Sequence, residues 1–212
     1  MVDIIAGVKI PNTSTIVEAT RLAEGMMNPL LFHHSRRVFL FSSLHAKTMG
    51  LEADPELLYV AALFHDTGVL TPFSDSQQRF ELDSADHARA FLLGRGFSPQ
   101  AADTVWSAIA LHTTPDIPGR MGPEIAATTL GVLTDVVGVG LDELDPTIVE
   151  EITSAHPRGD FKNGFLQTFH EGLKHRPDTT FGTMNADILA AFEPGFRPIN
   201  MVERVRSSSW SA

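Results

Sequence analysis

The sequence is organised around the stretch Leu57-Leu58-Tyr59-Val60-Ala61-Ala62-Leu63-Phe64-His65-Asp66-Thr67-Gly68. Asp54 and Pro55 precede it and predict a helix start, because the N–H that proline lacks has no intrahelical partner in the first turn. The apolar run that follows has the composition of a buried helix. It ends in a histidine and an aspartate, whose burial costs free energy unless something compensates them. Both residue types bind metals, so this helix end predicts a functional site.

Capping and breaking residues divide the rest of the chain into helices. Start signals such as Ser98-Pro99 and Asp145-Pro146 alternate with terminators such as Gly50 and Gly94. We find no alternating strand pattern and no internal repeat of solenoid length. The sequence therefore predicts an all-α helical bundle, with helices over residues 13–26, 30–49, 55–66, 83–93, 99–112, 123–139, 146–155, 161–174 and 185–192.

The length of 212 residues predicts a single domain over residues 1–212, with a core of about 13–192 and a C-terminal tail over 196–212. Residues 71–81 and 114–122 are rich in proline, glycine and polar side chains, which is typical of loops. We expect these two loops to border the site and to set the shape of its pocket. The supply of apolar helical surface is compatible with a homodimer.

The amino-acid composition excludes several classes of binding partner and metal ligand. With 26 acidic and 16 basic residues the formal charge is -10, so nucleic acid and anionic membranes are not expected to bind, and a small-molecule substrate is. The absence of cysteine means that any metal must be held by His, Asp, Glu or water. There is no basic leader with an apolar core and no run of ~20 uncharged apolar residues. We therefore expect a cytoplasmic protein.

Four metal-competent residues lie in apolar helical segments, namely His34, His65, Asp66 and Asp135. An unpaired carboxylate in the apolar run around Asp135 would be strongly disfavoured, and a shared cation would compensate it. Imidazole with carboxylate suits zinc, iron, manganese, nickel or copper and leaves positions for water. Each residue also has an ordinary interpretation: His65 and Asp66 as caps, His34 as a histidine bonded to a carbonyl, and Asp135 as a hydrogen-bonded carboxylate.

Two further histidines, His87 and His112, are the predicted catalytic residues. If both turn inward, they hold a second metal or contact the substrate beside the first one. The alternatives are an exposed first-turn residue for His87 and a helix C-cap for His112. The remaining five histidines are predicted to be surface or structural residues: His33, His45, His156, His170 and His175.

Taken in order, the His34-Ser35-Arg36-Arg37-Val38 segment, the His65-Asp66 pair and Asp135 resemble the HD-domain superfamily. That resemblance implies a helical fold, one or two bound metals and, most often, phosphohydrolase activity. The chain looks closer to the cyanamide hydratase branch, in these segments and in Arg79-Phe80-Glu81, Ala110-Leu111-His112-Thr113-Thr114 and Phe181-Gly182-Thr183. This branch implies Zn²⁺ on the four predicted ligands. His87 and His112 resemble instead the two-metal members, which include di-iron oxygenases, so iron is the alternative metal.

The leading hypothesis is a metal-dependent hydro-lyase that adds water to a small nitrile-like substrate, with cyanamide to urea as the model reaction. A metal lowers the pKa of its bound water towards ~7, and His112 or His87 then returns a proton to nitrogen or orients the substrate. Hydrolysis of a nucleotide or other phosphate ester is the runner-up, although we find no Lys- or Arg-rich segment for several phosphates. A di-iron oxygenase and a non-catalytic module braced by its metal are the remaining alternatives.

Overall fold

The computed structural model describes residues 3–210, and the predicted all-α class is confirmed. A two-stranded antiparallel hairpin, β1 (Ile4–Ile5) and β2 (Val8–Lys9), precedes the helices and was not predicted. Among the described residues there are ten α-helices: α1 (Ser14–Met26), α2 (Pro29–Thr48), α3 (Pro55–Phe64), α4 (Phe80–Leu93), α5 (Pro99–Leu111), α6 (Pro123–Val137), α7 (Pro146–Ala155), α8 (Phe161–Leu173), α9 (Asn185–Phe192) and α10 (Met201–Arg206).

The helix starts follow the capping chemistry of the sequence. The side chains of Asn28, Asp54, Ser98 and Asp145 each accept a backbone N–H of the first turn, and a proline follows each of them. These caps satisfy donors that the helix itself leaves unpaired. α6 ends at Gly138, whose φ of 80° is the left-handed conformation common at helix C-termini.

The predicted helix ends at residues 66 and 139 lie two residues beyond the ends of α3 and α6, and one predicted start is further off. α4 begins at Phe80, three residues before the predicted Asp83, after an Arg79 whose side chain makes no cap hydrogen bond. Tertiary contact explains this start, because the backbone of Gly68 lies directly against the Phe80 carbonyl, where a Cβ would collide with it. The predicted tail contains α10, a short and exposed helix over Met201–Arg206.

The site is positioned by α2, which packs against α6 on one side and α3 on another, while α5 lies against α3, α4 and α6. Gly131 allows the close approach of α2 and α6, since a Cβ there would lie 2.6 Å from the Val38 carbonyl oxygen and would overlap Ser42 Oγ. One turn further along α6 comes Asp135, which this approach brings to α2. None of the helices in the described part of the chain is long and apolar enough to cross a membrane.

Candidate metal centre

Three predicted ligands converge where α2 meets the end of α3. His34 Nε2 lies 3.1 Å from His65 Nε2 and 3.4 Å from Asp66 Oδ2, and His65 Nε2 lies 3.1 Å from the same Asp66 oxygen. All three side chains are buried. Within residues 3–210 these three form the group whose ligand atoms are close enough together to share an ion.

Hydrogen bonds fix the tautomers of both rings. Nδ1 of His34 lies 2.7 Å from Asp135 Oδ2, and Nδ1 of His65 lies 2.7 Å from the Ala62 carbonyl oxygen. A carboxylate and a carbonyl only accept, so each Nδ1 must donate, which leaves both Nε2 atoms with a bare lone pair when the rings are neutral. Asp66 Oδ2 has no hydrogen-bond donor in the described structure. Three lone pairs therefore face one another in a buried space, an arrangement that a divalent cation satisfies.

Protonation follows from the same arrangement. Burial by itself would raise the pKa of Asp66, but His65 and the nearby His112 and His34 rings hold it well below its usual range. Burial lowers the pKa of His65. Burial also opposes a charge on His34, yet the carboxylates of Asp135 and Asp66 raise its pKa above the ordinary value. The carboxylates thus favour positive charge at this point, whether a proton or a metal supplies it.

Asp135 lies behind His34 and away from the other ligand atoms. Its Oδ1 accepts hydrogen bonds from Arg37 Nε at 2.7 Å and Arg158 Nη1 at 2.6 Å, and its Oδ2 accepts from Arg37 Nη2 at 2.9 Å as well as from His34. Burial would raise the pKa of Asp135, but His34 and Arg37 hold it well below its usual range. A direct bond from Asp135 to the metal stays a prediction. In the observed arrangement this carboxylate orients the His34 ring, which is the role that carboxylates behind metal-bound histidines have.

His112 lies at the edge of the cluster, at the end of α5. Its Nδ1 donates to the Ile109 carbonyl oxygen at 2.6 Å, so its Nε2 is also a bare lone pair when the ring is neutral. That nitrogen lies 3.6 Å from Asp66 Oδ1, and the ring packs edge-on against His65 with 5.0 Å between centroids. The predicted catalytic position of His112 is therefore within reach of the cluster.

His87 is placed differently. Its ring stacks on Phe73 with a centroid separation of 4.0 Å and meets Phe64 edge-on, while its Nδ1 lies 3.2 Å from Thr67 Oγ1. Burial lowers the pKa of His87 to about 4, which keeps the ring neutral at neutral pH. The predicted role of His87 in catalysis or in a second metal site has no supporting contact among the described residues and stays a prediction.

A pocket of about 270 Å³ opens beside the cluster. His34, Asp66, His112 and Thr113 line one end of it, and side chains of α6, α8 and α9 line the other, among them Val132, Val136, Phe165, Phe169, Asn185 and Ile188. The expectation that residues 71–81 and 114–122 shape the pocket is wrong for this cavity, because its wall is made of helices.

Comparison with known proteins shows the family. Residues 31–155 match the family model described as HD domain, which is more than half of the chain. The chain belongs to the HD-domain family. These proteins are generally metal-dependent hydrolases, and the buried group of His34, His65 and Asp66 is compatible with a divalent metal. No curated protein matches the chain.

The pocket of this HD domain depends on residues outside the matched segment. α8 and α9 follow residue 155 and contribute most of the far wall. Arg176 also lies beyond the match; it is 1% exposed, pairs with Asp83 and donates to the Gly68 carbonyl oxygen at 2.6 Å. It therefore holds the turn that directly follows the His65-Asp66 pair.

Sequence reasoning assigned no role to Glu81, which stands beside the pocket. Its Oε1 accepts hydrogen bonds from Thr113 Oγ1 at 2.6 Å and from Asn185 Nδ2 at 3.0 Å, and it pairs with Arg79 at 3.2 Å. Burial would raise the pKa of Glu81, but Arg79 and Thr113 lower it below the ordinary value. An ionised carboxylate only accepts, so it orients the Asn185 amide with Nδ2 towards Glu81. The one available signal was the place of Glu81 in a segment shared with the cyanamide hydratase branch.

Proposed function

We propose that this protein is a metal-dependent enzyme that adds water to a small, uncharged, nitrile-like substrate, with cyanamide to urea as the model reaction. The observation that carries the proposal is the convergence of two bare imidazole nitrogens on an Asp66 oxygen that lacks a donor, in the wall of a largely apolar pocket. Family membership supports the metal-dependent chemistry in general terms.

His34, His65 and Asp66 are the residues that would hold the metal, and the set of two nitrogens and one oxygen suits zinc with a position left open. When bound, a divalent cation acidifies water enough for attack on an electrophilic carbon at neutral pH. Asp135 and Arg37 hold the His34 ring so that its Nε2 faces the other two ligands.

His112 is the candidate for moving the proton. Its Nδ1 proton is committed to the Ile109 carbonyl, so Nε2 is the atom that accepts a proton from water and returns it to the substrate nitrogen. It lies beside Asp66 and lines the pocket, which puts the exchange next to the reacting carbon. Thr113 and Asn185 offer the pocket a hydroxyl and an amide for the polar end of the substrate.

Phosphohydrolase activity is the runner-up, because it is common in the family that the resemblance identifies. It would need cationic or multiple N–H groups to neutralise a phosphate. Among the described residues that line the pocket there is no lysine or arginine, and Asp66 and Asp187 add negative charge. This lining favours an uncharged substrate over an anionic one. The oxygenase alternative depends on His87 as a ligand, and the contacts of His87 with Phe73, Phe64 and Thr67 do not favour it.

The test is turnover by protein of measured metal content. Zinc-loaded wild type is expected to form urea from cyanamide, and His65→Asn and Asp66→Asn are expected to lose both the metal and the activity. His170→Gln is the matched control, since His170 lies on α8 and pairs with Glu193 away from the ligand cluster. A zinc-loaded wild type that releases phosphate from phosphate esters and leaves cyanamide unchanged would replace the proposal with its runner-up.

A further inference from the structure

The size of the pocket exceeds what the model reaction needs. Its volume of about 270 Å³ is well above the ~150 Å³ of an apolar cavity that holds benzene. Cyanamide is smaller than benzene. A substrate that fills this pocket therefore carries more atoms than the group that reacts at the metal.

The far wall defines what those atoms are. Val132 and Val136 of α6, Phe165 and Phe169 of α8, and Ile188 of α9 present hydrocarbon to the cavity. The rings of Phe165 and Phe169 pack against each other at an interplanar angle of 31°, with 4.3 Å between their centroids, so this part of the wall is preformed. Such a surface gains free energy from covering an alkyl or aryl group and offers no partner to a polar one.

The charges around the pocket also favour an uncharged arm. The carboxylates of Asp66 and Asp187 belong to its lining, and within the described lining no lysine or arginine offsets them. Two arginines close to His34, Arg37 and Arg158, pair with Asp135. An anionic group at the far end of the arm, away from the metal site, would meet the carboxylate of Asp187 and no basic side chain of the described lining, so it is disfavoured.

We propose that the natural substrate is an uncharged molecule whose reacting group lies at the His34, His65 and Asp66 cluster and whose alkyl or aryl arm fills the space between α6, α8 and α9. The presence of the arm is inferred from the apolar residues that line the pocket, whereas the identity of the reacting group rests on the proposed function. Val136, Phe165 and Ile188 then determine specificity by the length and width of arm that they accept.

Binding of a chain-length series tests the arm separately from turnover. Acetohydroxamate, butanohydroxamate and hexanohydroxamate share a metal-binding head group and differ in the length of their hydrocarbon. Calorimetry on zinc-loaded protein is expected to show Kd falling about three- to fourfold for each added methylene until the wall is covered. Adipic acid monohydroxamate, in which a carboxylate replaces the terminal methyl group of hexanohydroxamate, is expected to bind more weakly than hexanohydroxamate.

A variant of the pocket tests whether the dependence of Kd on chain length arises there. Val136→Phe occupies the space for the arm, so the ratio of Kd between acetohydroxamate and hexanohydroxamate is expected to fall towards one. Val17→Phe is the matched control, because Val17 lies on α1 with 61% of its surface exposed and is not part of the lining. If Val136→Phe does not fold, the wild-type series still decides the matter. A flat series, no binding, or tighter binding of adipic acid monohydroxamate than of hexanohydroxamate overturns the proposal.

The two proposals fail in different ways. If Kd falls steeply with hydroxamate chain length but no urea forms, the nitrile reaction is wrong and the apolar arm is supported. If urea forms but Kd does not change with hydroxamate chain length, the apolar arm is wrong and the nitrile reaction is supported.

Discussion

Asp135 accepts a 2.7 Å hydrogen bond from Nδ1 of His34, the ring nitrogen opposite the one that faces His65 and Asp66. The two residues lie on different helices, α6 and α2, and Arg37 and Arg158 hold the carboxylate from its other sides. The orientation of the His34 ring, a predicted metal ligand, is thereby coupled to the packing of two helices. Partners of this kind commonly change metal affinity by 10- to 100-fold when they are removed.

Asp135→Asn is expected to weaken zinc affinity by about 10- to 100-fold, because an amide orients His34 less strongly. It should also lower the free energy of unfolding by about 3 kcal/mol, since it leaves the buried Arg37 without its anionic partner. Chelator competition and urea denaturation measure the two effects. Asp142→Asn, at an exposed carboxylate, is the control. Complete loss of zinc binding in a folded Asp135→Asn protein would indicate a direct ligand instead.

Gly131→Ala is expected to destabilise the protein by about 1 to 3 kcal/mol, although alanine favours helix more than glycine does. The added Cβ would overlap Ser42 Oγ and push α6 away from α2. Gly25→Ala is a matched comparison in α1, where a Cβ meets no atom within 4 Å, and it is expected to be neutral or stabilising. Equal stability of the two variants would mean that the α2–α6 contact tolerates a side chain here.

His87 is expected to make stability depend on pH. Burial lowers its pKa in the folded protein to about 4, whereas an unfolded histidine titrates near ~6.5. Below pH ~6.5 the unfolded state takes up a proton that the folded state does not, so stability is lost as pH falls towards about 4, by up to ~3 kcal/mol. His87→Phe keeps an aromatic ring between Phe64 and Phe73 and should flatten this part of the curve. Urea denaturation from pH 7 to pH 5 compares it with His170→Gln.

Glu81→Gln is expected to lower the free energy of unfolding by about 1 to 3 kcal/mol, because one oxygen of Glu81 serves both Thr113 and Asn185 as a charged acceptor. A glutamine can also present an N–H to Asn185, which removes the constraint on the amide. Denaturation of the variant is compared with that of Glu171→Gln, whose carboxylate is exposed on α8. An unchanged stability would show that water replaces the lost acceptor.

Local chemistry explains why much of the fold could be predicted. Asp54-Pro55, Ser98-Pro99 and Asp145-Pro146 begin helices because capping involves residues adjacent in sequence. The start of α4 could not be found in this way. It depends on contact between the Phe80 carbonyl and the backbone of Gly68, which lies on a different element.

The candidate site likewise has features that depend on neighbouring residues in the chain and features that depend on tertiary contacts. The sequence alone determined an all-α chain and a His65-Asp66 pair at the end of a buried helix, because apolar periodicity and cap residues act over a few positions. Only tertiary structure decided that His112 approaches Asp66 while His87 packs between two phenylalanines, since the direction of a helix face depends on what packs against it. It also decided that Asp135 lies behind His34 and that α8 and α9 close an apolar pocket. Those contacts join residues that are far apart in the chain. They depend on how the helices pack, and the local pattern of residue types does not predict that packing.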